Sequence, residues 1–474
     1  MEKTSRGTAA ALSVAVLAIM ALQGRAAVVY VRPLADCPVA GDGTAHDCAA
    51  DSGGPGALND LDASQDAVGP GDVLTVDGTW VLTEYLVFHA SGSAEARLRV
   101  TSFSPADPAI ITGTPGGCLV YFQGDHLEID HLRFESTGHY GLLLGENSET
   151  ASHLDHRFHD NALLSMSNGV SVRGIEDVEI FDNVFTDIGS TTDNQGHCLY
   201  VAQGTRNVRL YRNLCTAKSD VFASHCFHVF HAEPPGPAED VEFHDNVCSG
   251  FTTGAGVYSG STGILIYSNT FFATGDYGGL RCTYGGSQAG FYNNIVVGSP
   301  AYMGSVNFAE GCDVALDSNV YFQTDGTLLF SIDEAPVDSS AWLSRFDSSS
   351  LFEDPLIVDP DARDFHLDPA SPAIDRGDST HASDADFYGQ PRISGESIDI
   401  GAVEHQVSLP EPDESEPMDE AEPTETAEEI AEAADALPEG EQEAAEPAPD
   451  EALDSQADPD RHEDAGCSCR VPGA

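Results

Sequence analysis

The chain has 474 residues, of which 78 are acidic and 20 are basic, giving a formal net charge of −58. A charge of that sign repels phosphate backbones, so nucleic-acid binding is excluded. Hydrophobic residues make up 41% of the chain, and the only long apolar run lies at the N-terminus, which excludes a polytopic membrane protein.

Residues 1–26 have the pattern of a secretory signal peptide. An apolar run over residues 9–22 follows Lys3 and Arg6 and precedes a small-x-small cleavage pattern at Gly24-Arg25-Ala26. Because the run is shorter than the ~20 residues of a membrane-spanning helix, we expect a cleaved signal rather than an uncleaved anchor. The mature protein is then secreted or displayed at the cell surface, without a transmembrane helix.

Export changes how the cysteines are interpreted, because disulfides form outside the cell. Cys37 and Cys48 bracket a loop rich in Gly and Asp, and we expect a disulfide to close it. The sequence contains no CxxC pair that indicates a zinc site.

A short phrase recurs through the middle of the chain, in the pattern apolar-x-apolar-x-x-Asn-x-apolar. The clear copies are VEIFDNVF (178–185), VRLYRNLC (208–215), VEFHDNVC (241–248), ILIYSNTF (264–271), AGFYNNIV (289–296) and VALDSNVY (314–321), with weaker copies at 127–134 and 156–163. The phrase asparagines, separated by 22 to 33 residues, are Asn161, Asn183, Asn213, Asn246, Asn269, Asn294 and Asn319.

The alternation of apolar residues within each phrase predicts a strand with one buried face. One short strand cannot bury that face alone, so the units must stack as a solenoid. Stacking brings successive asparagines ~4.8 Å apart, where their amides can hydrogen-bond along a column. Neither leucine-rich spacing nor amphipathic helices appear, and the units are too short for propeller blades. The sequence therefore predicts an all-β, single-domain, right-handed parallel β-helix solenoid.

We assign residues 27–405 to this domain. Residues 27–118 form its N-terminal segment and first coils, residues 119–330 its regular coils, and residues 331–405 a closing segment. Residues 406–474 are nearly all Glu, Asp, Ala and Pro up to a final Cys467-Ser468-Cys469 motif, a composition that cannot bury a core and predicts a disordered acidic tail. Because the folded part is acidic as well and Lys218 is the only lysine after the signal, we consider salt-rich surroundings or bound divalent cations such as Ca²⁺, with compositional habit as the alternative.

The chain resembles the pectin-lyase-like proteins with parallel β-helix repeats, on the segments VVYVRP (28–33) and GPGDVLTVDGTWVLTEYLVF (69–88) and on the repeated phrase. The segment LFEDPLIVDPDARDFHLDPASPAIDRGD (351–378), which continues to residue 405, is similar to the end of bacterial surface proteins called choice-of-anchor Q proteins. The final AGCSCRVPGA (465–474) is similar to the start of a myxobacterial Cys-containing sorting tail, without the apolar span and basic cluster that follow there. The resemblance implies a surface-displayed β-helix.

A candidate site lies on the strand that precedes each phrase. Aligning GHCLYVAQ (196–203), SHCFHVFH (224–231), GAGVYSGS (254–261), GGLRCTYG (278–285) and GSVNFAEG (304–311) predicts one outward-facing column, because alternate residues of a strand share a face. The column consists of Tyr200, His228, Tyr258, Arg281 and Asn307.

These residue types suit chemistry on a glycan. His228 could act as a base, Tyr200 or Tyr258 could donate a proton or stack on a sugar, and Arg281 could hold a carboxylate. Asn307 could contact substrate. The alternative is that these side chains stack only for packing.

Further groups flank this predicted column. Asp193, Asp220 and Glu233 lie in neighbouring loops and could contact substrate or supply a hydrolase carboxylate pair. His197, His225 and His231 raise the question of a metal site, which we do not assign because stacked histidines are common in this fold. The pairs Cys198–Cys226 and Cys215–Cys248 align between coils and are either disulfides or packed thiols.

The sequence leaves three functions open. The first is a surface β-helix that binds or processes a polysaccharide on a solvent-exposed strand face. The second is a polysaccharide lyase or glycoside hydrolase, and the third is a structural or adhesive surface protein without catalysis. The oligomeric state is not indicated.

Overall fold

In the computed structural model, the chain is described over residues 26–406, apart from 116, 137–139, 147–151, 191–195, 203, 220–222, 231–235, 276–277, 284–285, 299–305, 310, 325–329 and 334. The predicted signal peptide and nearly all of the predicted acidic tail lie outside these residues. The described chain is a parallel β-helix, which confirms the predicted fold class.

Sheet A forms one side of the solenoid, with 11 strands in chain order from coil to coil. Its strands are β1 (Val28–Val31), β2 (Val73–Val76), β5 (Leu98–Ser102), β8 (Leu127–Asp130), β11 (His153–His159), β14 (Ile175–Phe181), β17 (Arg206–Tyr211), β20 (Glu239–His244), β23 (Thr262–Tyr267), β26 (Gln288–Tyr292) and β29 (Asp313–Asp317).

Sheet B follows sheet A in each coil, after a sharp corner, and contains 10 strands. They are β3 (Thr79–Leu82), β6 (Ile110–Gly113), β9 (Arg133–Glu135), β12 (Ala162–Leu164), β15 (Val184–Ile188), β18 (Leu214–Ala217), β21 (Val247–Ser249), β24 (Thr270–Thr274), β27 (Ile295–Gly298) and β30 (Val320–Gln323).

Sheet C completes each coil, and its last strand is antiparallel to the one before. Its strands are β4 (Leu86–Phe88), β7 (Cys118–Phe122), β10 (Tyr140–Gly145), β13 (Asn168–Arg173), β16 (His197–Val201), β19 (His225–Val229), β22 (Thr253–Tyr258), β25 (Gly278–Thr283), β28 (Val306–Phe308), β31 (Phe330–Ile332) and β32 (Ala335–Val337).

The repeated phrase spans two strands rather than one. In VEIFDNVF, the first half ends β14 in sheet A and the second half begins β15 in sheet B, with Asp182 and Asn183 at the corner. Asp182 has φ of 55°, a left-handed conformation that turns the chain sharply. The corner residue before each of the other phrase asparagines also has positive φ.

The phrase asparagines form the predicted column along this corner. All seven are buried, and in the first six the side-chain Nδ2 donates to Oδ1 of the next asparagine along the column at 3.0–3.2 Å. Each Oδ1 from Asn183 to Asn319 also accepts from the backbone N–H of the preceding asparagine. The column thereby satisfies backbone groups that the corner removes from the ladders.

The column ends at polar groups rather than in the apolar core. At one end the Leu132 backbone N–H donates to Asn161 Oδ1 at 3.0 Å. At the other end Ser350 Oγ accepts from the Asn319 backbone N–H at 2.6 Å, and Asp347 Oδ2 lies 3.4 Å from Asn319 Nδ2. Burial raises the pKa of Asp347 to about 6.

The interior is a continuous apolar core in which rings stack from coil to coil. Phe227 and Phe243 lie 4.5 Å apart between ring centroids, and Phe271 and Phe291 lie 6.1 Å apart.

Two short helices lie at the ends of the solenoid: α1 (Leu61–Ser64) and α2 (Ser339–Arg345). The α2 residue Trp342 is fully buried and covers the last coils by stacking on Phe330.

The closing segment folds back along the outer face of sheet B. It contains the hairpin β33 (Ile357–Asp359) and β34 (Asp364–Leu367), and Leu367 and Ile400 pack on Ile295 of β27. Short 3₁₀ turns occupy residues Gln65–Ala67, Pro360–Ala362 and Ser379–His381. A buried ion pair, with Arg392 Nε 3.5 Å from Asp245 Oδ1, ties this segment to the corner after sheet A.

Four disulfides lie within the described residues: Cys37–Cys48, Cys198–Cys215, Cys226–Cys248 and Cys282–Cys312. The first is the bond predicted for the N-terminal loop.

The predicted inter-coil disulfides Cys198–Cys226 and Cys215–Cys248 are wrong. Side chains of in-register neighbours in a parallel sheet run side by side near the ~4.8 Å strand spacing, which keeps their sulfurs further apart than a bonded pair. Cys198 of sheet C instead faces Cys215 of sheet B across the interior, with Cα atoms 6.2 Å apart. Cys226 faces Cys248 in the same way.

Replacing Asn246 by alanine should test the column. The amide donors of Asn213 and the carbonyls of Leu210 and His244 then lose their buried partner, so we expect the free energy of unfolding in urea to fall by roughly 3 kcal/mol. Asn207→Gly is the control, because Asn207 is exposed at φ of 54°. Equal losses in the two variants would contradict the role of the column.

Candidate functional site

The backbone register of sheet C decides which predicted site residues share a column. From coil to coil, one row of paired positions in this sheet contains Tyr200, His228, Gly256, Arg281 and Asn307. The structure therefore brings four of the five predicted residues into one outward column.

The predicted place of Tyr258 in that column is wrong. The sequence alignment put Val257 level with Phe227, whereas the register pairs Val257 with Val229 and Ala255 with Phe227. An error of two residues keeps every side chain on the same face, so the alternation of apolar residues could not reveal it.

Tyr258 nevertheless belongs to the site, because its ring folds back over Gly256. Its Oη lies 2.7 Å from Nε2 of His225. A Cβ atom at position 256 would lie 2.5 Å from both the Tyr258 ring and the His225 ring. The glycine thus makes the space that this contact requires.

Three histidines from β16 and β19 converge beside the column. His197 pairs in register with His225, and His228 Nδ1 lies 3.4 Å from His197 Nε2. The rings of His225 and His228 are nearly parallel, with centroids 4.2 Å apart. Ser224 Oγ lies 2.6 Å from the other ring nitrogen of His225, Nδ1. We call His197, His225 and His228 the histidine cluster.

Two guanidinium groups lie over the tyrosine rings of the site. Arg281 Cζ lies 5.9 Å from the centroid of Tyr258, and Arg173 Cζ lies 5.0 Å from that of Tyr200. The sequence alignment missed Arg173, which ends β13 one coil before Tyr200. The signal was present in NGVSVR (168–173), the strand that precedes the phrase at 178–185, but the alignment began one coil later.

The site faces outward from sheet C but is not open to solvent. His228 is 9% exposed, Tyr200, His225 and Arg281 are each 3% exposed, and Tyr258 is 1% exposed. The predicted solvent-exposed strand face is therefore wrong for these residues. The predicted contacts Asp193, Asp220 and Glu233, like His231, lie outside the described residues.

Burial controls the protonation of the histidine cluster. It lowers the pKa of His228 well below the usual value, and the neighbouring His225, His197 and Arg281 act in the same direction. Burial, His197 and Arg281 likewise lower the pKa of His225. Neutral imidazoles can accept a proton or bind a metal ion, while the phenols donate hydrogen bonds and the guanidinium binds anions.

Structure comparisons place the fold among solved β-helices. Pectate lyase Pel9A matches with a TM-score of 0.53 and 14% identity, over 80% of this chain and 96% of that one. XylC in complex with xylose matches with a TM-score of 0.46 and 9% identity, over 80% and 99% of the two chains. A GH136 lacto-N-biosidase from Eubacterium ramulus matches with a TM-score of 0.39 and 12% identity, over 65% of each chain.

At 14% identity, the match to pectate lyase Pel9A shows a shared fold and nothing more specific. The chain has the pectate-lyase-like parallel β-helix fold. No protein-family profile matches the sequence, and no curated protein matches it. Among the described residues, no helix is both long and apolar enough to span a membrane.

The histidine cluster should make stability depend on pH. A histidine whose pKa is lowered on folding binds fewer protons in the native state, so its contribution is complete above the unfolded pKa of about 6.5 and is lost as pH falls below it. The wild-type protein should lose free energy of unfolding between pH 7 and pH 5. We expect His228→Asn to lose less over the same range, by up to about 1.4 kcal/mol per pH unit.

Urea unfolding in metal-free buffer at several pH values measures this slope. His366→Asn is the matched control, because the His366 side chain is 53% exposed on the closing segment. Parallel pH profiles for wild type and His228→Asn would contradict neutral burial of His228.

Proposed function

We propose that the protein is a secreted or cell-surface polysaccharide-binding protein, with its binding site at the histidine cluster and the adjoining residues of sheet C. The observation that carries this proposal is the convergence of Tyr200, His228, Tyr258 and Arg281 on the outward side of sheet C, where each is at most 9% exposed. Aromatic rings and planar charged groups are the side chains that hold sugars and their carboxylates.

The charge of the chain restricts the ligand. A formal charge of −58 repels a polyuronate, so such a substrate needs Arg173 and Arg281 as local cations or Ca²⁺ as a bridge. Neutral glycans meet no such barrier. For a polyuronate we expect binding to strengthen as salt screens the repulsion.

The four disulfides of the described chain support the proposed export, because disulfides persist in oxidising compartments. The resemblance of residues 351–405 to choice-of-anchor Q proteins supports display at the cell surface. In this proposal residues 1–26 are removed, and residues 406–474 form an acidic tail that ends in the Cys467-Ser468-Cys469 motif. A structural or adhesive role without a glycan is the contrasting hypothesis.

Binding can be tested on an array of neutral and uronate glycans with the full chain. Tyr200→Ala should weaken binding at least tenfold, because the Tyr200 ring packs against His228 and Arg173 and its loss removes the support of both groups. Tyr211→Ala is the matched control, since Tyr211 belongs to a ring stack on sheet A. No binding by wild type, or equal loss in both variants, would contradict the proposed site.

A polysaccharide lyase is the second candidate, favoured by the neutral state of His228 between Tyr200 and Tyr258. His228 would remove the proton next to a uronate carboxylate held by Arg281. The electron pair then forms the new C=C bond as the C–O bond to the leaving sugar breaks, and a tyrosine protonates the leaving oxygen.

Ultraviolet absorbance of unsaturated products would detect this elimination, and a reducing-sugar assay would detect hydrolysis. We expect His228→Asn to lower kcat roughly 10²- to 10⁴-fold, with little change in KM. His366→Asn should retain full activity. A wild-type protein that binds glycans yet releases no product would leave binding as the function and exclude catalysis on those glycans.

A further inference from the structure

We propose that His197, His225 and His228 form a binding site for a transition-metal ion, most suitably Zn²⁺. The three side chains offer ligand nitrogens that all lie within 4.8 Å of one another. This inference goes beyond the proposed glycan site and does not depend on it, but a zinc-bound His228 could not also act as the base of the lyase candidate.

The distance between two of the ligand atoms fits zinc. His228 Nδ1 and His197 Nε2 are 3.4 Å apart, which is long for a hydrogen bond between nitrogens. Nitrogens about 2.0–2.1 Å from a tetrahedral ion lie about 3.3–3.4 Å apart. These two atoms therefore already have the separation of two zinc ligands.

The third ligand is oriented by a neighbouring hydroxyl. Ser224 Oγ contacts Nδ1 of His225, which leaves Nε2 directed toward the site. A hydrogen bond to the distal ring nitrogen is the usual way in which proteins fix the tautomer of a metal-bound histidine. Tyr258 Oη lies beside this Nε2, so a metal ion would replace the tyrosine as its partner.

Metal binding requires a modest adjustment of the rings. His225 and His228 stack nearly parallel, so one ring must turn before both direct a lone pair at one ion. Gly256 lies against His225 and Tyr258 without a side chain of its own. The rings turn on their own side-chain torsions while the backbone of β16 and β19 stays in register.

The chemistry of the site selects the class of metal. Neutral imidazoles bind zinc, copper and nickel, whereas calcium requires oxygen ligands. Arg281 lies over the Tyr258 ring at the edge of the site, and its positive charge opposes any cation, which further disfavours weakly bound ions. The Ca²⁺ considered from the acidic composition therefore has no suitable ligands in this cluster.

Cysteines do not compete for the ion. The sulfurs of Cys198, Cys215 and Cys226 also lie close together, but they are paired in the disulfides Cys198–Cys215 and Cys226–Cys248. A disulfide sulfur lacks the thiolate charge that binds zinc.

Metal titration of the full chain tests the proposal. The protein is first treated with EDTA and then titrated with Zn²⁺ by calorimetry. Excess Ca²⁺ in the buffer occupies the many surface carboxylates, so that weak binding of Zn²⁺ to them does not contribute. We expect one tight site per chain and, with Co²⁺ in place of Zn²⁺, visible absorption typical of tetrahedral nitrogen coordination. No tight site in the wild-type protein would overturn the proposal.

Variants identify the ligands. His197→Gln and His228→Asn should each weaken Zn²⁺ binding at least tenfold, whereas His366→Asn should bind as wild type does. Circular dichroism and the urea midpoint establish that each variant is folded, and a variant that is unfolded is replaced by His225→Gln. Unchanged affinity in folded cluster variants would place the ion elsewhere and overturn the assignment. No glycan enters the experiment, so its result is independent of the glycan assays.

Discussion

The amide column at the corner between sheets A and B is the interaction on which the rest of the structure depends. Each sharp corner removes backbone groups from the sheet ladders, and a buried backbone group without a partner is costly. The asparagines supply both a donor and an acceptor in every coil, from Asn161 to Asn319. The column thereby fixes how each coil sits on the next, and this stacking aligns the strands of sheet C.

The sequence predicted the fold best where a recurring residue has a structural cause. The asparagines recur because only a short amide can bond to the coils above and below, so their spacing revealed the solenoid before any coordinates. Aligning the strands that precede each phrase also predicted the shared column of Tyr200, His228, Arg281 and Asn307, which the backbone register confirms.

The position of Tyr258, the disulfide pairing and the exposure of His228 could not be predicted, because each depends on three-dimensional contacts that the sequence does not give. The loops before β19 and β22 differ in length, so the phase of Tyr258 could not be counted from the corner, and only the backbone register fixed it. The disulfides required knowing which interior side chains face each other across a coil, as Cys198 and Cys215 do. The low exposure of His228 depends on what packs over sheet C, which a pattern of alternating residues does not reveal.

The direction of the amides in the column has a further effect. Each Oδ1 from Asn183 to Asn319 faces the asparagine of the preceding coil, from which it accepts, so the small carbonyl dipoles add instead of cancelling, and each bond polarises the next. The positive end of this row meets the carboxylate of Asp347, much as the first turn of a helix attracts an anion. The solenoid therefore carries an axial electrical polarity that originates in side chains, and an acid residue neutralises it where the coils end.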